Sequence, residues 1–294
     1  VGESAWLAER FEQQRPYLYS VAYRMLGSLG EADDAVQETW LRLSRADHDE
    51  VDNLAAWLTT VVSRVCLNIL RSRQRRREEP WDVRVPDPVI MPAGPDDPEQ
   101  AAVLADSVGL ALLVVLDTLT PAERLTFVLH DMFGVPFDEI APMIDRSPAT
   151  ARQLASRARR RVRGQAPPTD RDLARQRAVV DAFLAAARDG DLEGLVAVLH
   201  PDVVLRADGG TTRTRHTTVI ISAPAVAAQA TTFGRFSPFA RPALINGAAG
   251  VVVMASGRPL SVMAFSIRDG RIAEIDVIAD PDRLTRFDLS AFTD

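Results

Sequence analysis

Two arginine runs are the residues of this sequence with the clearest chemical direction. Arg64, Arg71, Arg73, Arg75, Arg76 and Arg77 put six guanidiniums into residues 64–77 with no acid among them. Arg152, Arg157, Arg159, Arg160, Arg161 and Arg163 repeat that count in residues 152–163. A guanidinium is a planar fork of donors that fits phosphate oxygens and base edges, so such runs point to nucleic acid. Either run alone is equally well a solvated helix face whose stems cover apolar surface. Cys66, the single cysteine, lies in an apolar helical pattern and reads as a buried small residue in a reducing compartment. His48, His130, His200 and His216 are scattered and give no zinc spacing, so neither metal nor cofactor is expected.

The second arginine run belongs to a helix-turn-helix pattern. Pro121 fits a first helical turn, and Leu125, Val128, Leu129 and Met132 then form one apolar stripe that Gly134 ends. A short helix over Phe137–Met143 offers Phe137, Ile140 and Ala141 inward. After the turn Ile144-Asp145-Arg146, Ser147 is the N-cap and Pro148 the first helical residue of the next helix. There Ala151, Leu154, Ala155 and Ala158 face inward, leaving Thr150, Arg152, Gln153, Ser156, Arg157 and Arg160 outside as a recognition-helix face. Arg152 and Gln153 suit base edges, while Ser156, Arg157 and Arg160 suit phosphates. The amides at the Ser147 end add a favourable dipole for a phosphate.

The chain around these elements is 294 residues long and 47% hydrophobic, enough for two or three domains with buried cores. It has 34 arginines, no lysine and 40 acids, for a net charge of -6, which excludes a uniformly basic coat but permits basic patches. Residues 6–77 carry apolar positions three and four apart and read as helices. Six prolines between Glu79 and Glu99 forbid a continued helix and predict an extended connector. Seven acids face one arginine, Arg84, over residues 80–119, and 15 acids face 14 arginines over 170–294, so neither segment should grip DNA. We expect a helical domain over 1–78, a proline-rich acidic linker over 79–105, a helix-turn-helix domain over 106–165 and a third domain over 171–294. No apolar run approaches a membrane span and no secretory core opens the sequence, which favours a cytoplasmic protein.

The third domain begins with a helical pattern and turns to strand-like stretches at VVLRA, GVVVMAS, LSVMAFSIR and IAEIDVIA, an α+β signature. Asp269-Gly270 suits a tight hairpin turn, and Asn246-Gly247 marks another. Here Asp208 with His216 is a conceivable acid/base pair, with Arg206 or Arg213 beside an anion. Their nearness in sequence does not make a cleft, and the favoured reading of each is a strand-edge or surface residue. Gly209 and Gly210 permit a sharp turn, and Asp280-Pro281 initiates another.

Together, FEQQRPYLYSVAYRMLGSLGEADDAVQETWLRL, AAWLTTVVSRVCLNILRSRQRRRE and the 120–163 stretch resemble an extracytoplasmic-function sigma factor of bacterial RNA polymerase. The resemblance covers the first 163 residues apart from the connector. It implies a first module, region 2, that binds the polymerase clamp and opens the −10 element, and a second, region 4, that binds the −35 element and the polymerase flap. Asp33, Asp34, Gln37, Glu38 and Trp40 then fall on the clamp-binding helix. Asn68, Arg64, Arg71 and Arg73 fall on the −10 helix, and Asn53, in the loop RADHDEVDN, is a candidate for holding a flipped base. The remainder resembles the SnoaL-like branch of the NTF2-like fold, as fused to the ECF41-type group. Its motifs look like Asp208-Gly209-Gly210-Thr211, the linker PWDVRVPDP, and Asp280-Pro281-Asp282-Arg283-Leu284, departing in part from the group pattern. The resemblance implies that Asp208, Gly209, Gly210, Asp280, Pro281 and Asp282 help the third domain regulate the sigma core by intramolecular contact. A small ligand and retained enzyme chemistry are lesser possibilities, and a polymerase-independent helix-turn-helix regulator is the alternative to a sigma factor. Expected partners are core polymerase and promoter DNA, with no membrane.

Overall fold

The computed structural model describes residues 2–46, 53–76, 84–93, 109–165, 172–210 and 217–293. The chain forms two compact units, Val1–Pro80 with Leu113–Gln165, and Trp81–Leu112 with Ala166–Asp294.

The first unit opens with α1 (Gly2–Leu26), α2 (Leu29–Leu43) and α3 (Leu54–Arg76). Gly27 ends α1 by taking a φ of 63° and donating its N–H to the Tyr23 carbonyl at 2.8 Å, a left-handed stop that carries no Cβ penalty for glycine. The three- and four-residue spacing of the sequence becomes one shared core, with Leu18, Val21 and Met25 of α1, Val36 and Leu43 of α2, and Leu58 and Val62 of α3 all fully buried. Against the expectation that no run approaches a membrane span, Leu54–Arg75 is long and apolar enough to cross one by length and composition. It is a core helix of this unit, packed along both α1 and α2.

The same unit continues with α4 (Leu110–Asp117, which also extends into the other unit), α5 (Pro121–Phe127), α6 (Phe137–Ile140) and α7 (Pro148–Gln165). A capping box starts α5: Thr120 Oγ1 accepts the Glu123 N–H at 3.4 Å, and Glu123 Oε2 accepts the Thr120 N–H at 3.1 Å. The expected single helix to Gly134 instead widens into a π turn over Val128–Met132. There His130 Nδ1 lies 3.0 Å from the Val135 carbonyl, and its ring stacks on Phe137 at 3.8 Å. The short second helix is split into α6 and a 3-10 turn over Ala141–Met143.

The second unit is a seven-stranded sheet with helices over one face. Its elements are β1 (Ile90–Pro92), α8 (Leu173–Asp189), α9 (Leu192–Val198), β2 (Leu199–Asp208), β3 (Thr218–Ile221), α10 (Ala223–Phe233), β4 (Ala240–Ile245), β5 (Ala248–Ala255), β6 (Arg258–Arg268), β7 (Arg271–Ile278) and α11 (Pro281–Leu284). The order is β1-β4-β5-β6-β7-β2-β3, antiparallel except for the parallel pair β2 and β7. Asn246-Gly247 and Asp269-Gly270 form the expected turns with both residues at positive φ. Ser256-Gly257 makes a third such turn, which the sequence reading did not single out. Phe183, Leu195 and Val226 from the helices meet Leu205, Phe265 and Ile275 from the sheet in one packed core. Strand alternation then sends Arg206, Asp208, Glu274 and Asp276 to the opposite face.

Gly234, just after α10, lies so close to α8 that a Cβ there would collide with the Ala187 carbonyl. Gly234→Ala should destabilise this unit by about 2 kcal/mol, lowering its thermal midpoint by about 4–8 °C. Calorimetry on the full chain checks this, and an unchanged midpoint would show that α8 yields.

Candidate nucleic-acid interface and linker clamp

α7 presents the face expected of it. Ala151, Ala155 and Ala158 are buried, Leu154 is half-buried, and Arg152, Gln153, Ser156, Arg157 and Arg160 are exposed. Ser147 caps the helix, its Oγ accepting the Thr150 N–H at 3.2 Å, and lies 2.9 Å from Thr150 Oγ1, so both hydroxyls are already engaged at the helix start. The arginine run is not uniformly available. Arg159 pairs with Asp131 at 2.6 Å and Arg161 with Glu123 at 3.2 Å, while Arg152 lies over the Phe137 ring at 5.8 Å. Arg157, Arg160 and Arg163 are exposed and form no ion pair among the described residues.

In α2, Asp33, Asp34 and Gln37 are exposed, and Glu38 pairs with Arg42 at 2.9 Å. Trp40 is half-buried against Phe11, ring centroids 5.1 Å apart, so it stiffens the helix on which these polar groups stand. Leu41 joins the face as an apolar residue 44% exposed, one that the sequence reading did not name. Asn53 caps α3, its Oδ1 accepting the Ala56 N–H at 3.1 Å, which leaves its amide nitrogen to donate elsewhere. The rest of the preceding loop, 47–52, lies outside the described residues. Arg64, Asn68 and Arg71 are exposed on α3. Arg73 is turned inward instead: it pairs with Glu31, and its Nη1 donates to the Leu26 carbonyl at 2.9 Å, closing the C-terminal end of α1. Burial pushes the Cys66 thiol up to about 12, so it is an inert core residue.

In the second unit, a guanidinium clamps the connector onto the sheet. Arg283 Nη1 donates to Asp208 Oδ2 at 2.5 Å, Nη2 to the Val85 carbonyl at 2.6 Å, and Nε to Asp87 Oδ1 at 2.9 Å. Asp208 Oδ2 also accepts the Val85 N–H at 3.2 Å, and its Oδ1 accepts the Gly210 N–H at 3.0 Å. Four residues on, Asn246 exchanges two 2.9 Å bonds with Val89, after which β1 pairs with β4. Asp280 caps α11 through the Asp282 N–H, and Pro281 is its first residue. Gly210, at a φ of 64°, abuts the Asp280 carboxylate so closely that no Cβ fits. Gly209 donates to Thr217 Oγ1 at 3.1 Å.

Of the six candidates, Asp208 alone touches the connector through a described side-chain bond. Asp282 is exposed, and its neighbour Arg283 makes the contact. The sequence signal for Arg283 was only its place in the motif, because its acceptors lie 75 and 196 residues away. His216, Arg213, Thr211 and the Trp81 end of the linker motif lie outside the described residues. Of the other members of the acid/base reading, Asp208 is engaged by the clamp, and Arg206 is held by Asp276 at 3.1 Å and Glu274 at 3.3 Å. Burial lifts the Asp276 carboxyl to about 6 despite Arg206, with Glu274 adding like-charge repulsion.

A helix-turn-helix with an exposed polar face, joined to a helical module through a connector held by an α+β domain, defines a modular DNA-directed protein. Residues 10–76 match the model of sigma-70 region 2, and residues 109–162 match that of sigma-70 region 4. The chain is 40% identical over 289 residues to the ECF RNA polymerase sigma factor SigJ of Mycobacterium tuberculosis, covering 94% of this chain and 92% of SigJ. It is 36% identical over 287 residues to the M. tuberculosis protein named probable ECF RNA polymerase sigma factor SigI, covering 96% of this chain and 94% of that one. The crystal structure of M. tuberculosis SigJ superposes with a TM-score of 0.76 at 36% identity, over 96% of this chain and 99% of that one. The chain belongs to the extracytoplasmic-function sigma factors of RNA polymerase.

Arg283→Met should release the connector: exchange of the Val85 amide, measured by hydrogen–deuterium exchange, should accelerate at least about tenfold, with a smaller change at Val89, which Asn246 holds. Equal protection in both proteins would contradict the clamp. A raised folded pKa at Asp276 means that the folded chain keeps a proton the unfolded chain has lost between about pH 4 and 6. This contribution is full below the unfolded pKa and is lost as pH rises through about 6. Asp276→Asn should therefore flatten that part of the stability–pH curve in denaturant titrations, and an identical slope in the variant would refute the assignment.

Proposed function

We propose that this sigma factor directs RNA polymerase to a −35 element through α7 and to a −10 element through α3, with its third domain regulating it through the connector. The observation that carries the reading is α7: one side packed on small residues, the other exposing Arg152, Gln153, Ser156, Arg157 and Arg160. With its Ser147 end in the major groove, Arg152 and Gln153 read base edges, while Ser156, Arg157 and Arg160 hold phosphates and Thr150 supports the cap. Asn53, Arg64, Asn68 and Arg71 meet the opened −10 strand, and Arg73 supports them from inside. Asp33, Asp34, Gln37, Glu38 and Trp40, joined by Leu41, form the face for core polymerase.

Promoter opening asks for no covalent step from this chain. Breaking DNA stacking costs about 1.4 kcal/mol per step, offset by capture of unstacked bases and by polymerase contacts. Acting on RNA polymerase places the protein in the cytoplasm. The third domain is read as an NTF2-like regulator, supported by the clamp on Val85 and Asp87 and by the pairing of Ile90–Pro92 with its sheet. A connector held there is unavailable to any other partner, and the Arg283 bonds are the element to be broken.

Promoter-dependent transcription with purified core polymerase tests the first part. Arg152→Ala and Gln153→Ala should each lower specific initiation by roughly 5- to 150-fold, the range of one lost base contact. Arg157→Ala should weaken binding to all sequences alike and reduce the salt slope by about one. Absence of specific initiation with folded protein and a suitable promoter library would defeat the reading. For regulation, a chain ending near Gln165 is compared with the full chain in polymerase binding and transcription, and no difference in either counts against it.

A further inference from the structure

The helix-turn-helix carries an aromatic ring where its sequence pattern asks for a core residue. Ile140 and Ala141 face inward as expected, 0% and 2% exposed, whereas Phe137 is half-buried. Its ring stacks on the His130 imidazole, centroids 3.8 Å apart and planes 27° from parallel. The Arg152 guanidinium carbon lies 5.8 Å from the Phe137 centroid, within reach of a cation–π attraction. Among the described residues, Arg152 is the one arginine of the exposed α7 face that lies over an aromatic ring, and it forms no ion pair or hydrogen bond.

The ring is itself held. His130 lies in the π turn over Val128–Met132, a distortion that concentrates at functional sites. Its Nδ1 is 3.0 Å from the Val135 carbonyl; a carbonyl only accepts, so Nδ1 carries the proton and the imidazole is pinned against Phe137. The neighbouring Asp131 pairs with Arg159 of α7 at 2.6 Å, two turns beyond Arg152, so the π turn and α7 are tied at a second point. A guanidinium stacked by its face keeps its N–H groups in the plane, with the fork free for a partner at its edge.

We infer that Phe137 is a specificity-determining positioning residue: its ring, backed by His130, sets the Arg152 guanidinium so that the fork meets the O6 and N7 acceptors of one guanine in the −35 element. This deepens the reading of α7 given above and rests on Arg152 reading a base edge. Guanine is the base whose major-groove edge offers two acceptors side by side. Without the ring, the long side chain reaches the same edge only by losing more rotamer freedom on binding. Discrimination then falls by what a cation–π contact at an exposed site supplies, roughly two- to fivefold.

The test uses polymerase holoenzyme assembled with the full chain and reads specific initiation from a promoter set in which each −35 base pair is changed in turn. Arg152→Ala should erase discrimination at one guanine. Placing 7-deazaguanine there, which lacks the N7 acceptor, should lower initiation by the unsubstituted protein and leave Arg152→Ala unaffected. Phe137→Leu should lower discrimination at that guanine alone by roughly two- to fivefold, with no further loss when added to Arg152→Ala, and Phe137→Tyr should retain it. Pentafluorophenylalanine in place of Phe137 keeps the ring in the fold but removes its negative face, so it should cause the same loss. A Phe137→Leu loss spread over all promoter positions, with the fluorinated ring behaving as phenylalanine, shows a ring that only supports the fold and overturns the proposal. If Arg152→Ala loses one guanine while neither ring variant does, the base-reading assignment stands and the role of Phe137 is refuted. If Arg152→Ala discriminates at every position as the unsubstituted protein does, the assignment itself fails and the positioning role falls with it.

Discussion

A guanidinium removed from water must find acceptors for its N–H groups, and in this chain that requirement joins segments far apart in sequence. Arg73 and Arg124 bond to carbonyls at the end of α1, 47 and 100 residues away. Arg283 reaches Asp87 and the Val85 carbonyl, 196 and 198 residues away. A lysine has one nitrogen and no planar fork, so it cannot hold a carboxylate and a carbonyl from distant parts of the chain in one fixed plane. The all-arginine composition therefore has two physical uses: exposed forks stay open to outside acceptors such as phosphates, and buried forks tie the protein together.

The connector shows how proline takes part in such ties. Residues 84–92 cannot form a helix interior, and prolines lack the donor that a central strand needs. At the edge of a sheet only one side of the strand must pair, and β1 fits there, with Pro92 opposite Ala243. Asn246 completes the join: at a φ of 48°, its Oδ1 accepts the Val89 N–H and its own N–H donates to the Val89 carbonyl. The segment that links the two sigma regions is thereby part of the third domain's fold.

What could be read in the sequence was local. The caps at Ser147 and Pro148, the alanine stripe of α7 and the Asn246-Gly247 and Asp269-Gly270 turns each depend on neighbours a few residues away, and each formed where its chemistry required. β1, β3 and β4 are short, and their partners decide them: Ile90–Pro92 is a strand only because β4 offers it an edge. Arg73 looked like its exposed neighbours, since periodicity does not reveal that Glu31 and the Leu26 carbonyl lie beneath it. Arg283 and Asp87 were visible only as members of separate motifs, because their meeting is a property of the folded sheet.

The division of arginines between interior and surface also explains why so small a reader needs polymerase. Of the six in residues 152–163, Arg159 and Arg161 are committed to acids, and Arg152 rests on Phe137. Arg157, Arg160 and Arg163 stay exposed without an ion pair among the described residues, and three phosphate contacts would correspond to a salt exponent of about −3 and a loss of roughly fortyfold in affinity between 50 and 200 mM salt. Three such contacts on a chain of net charge -6 would hold DNA weakly. Joined to RNA polymerase, the protein makes such contacts as part of a larger assembly, where orientation matters more than charge.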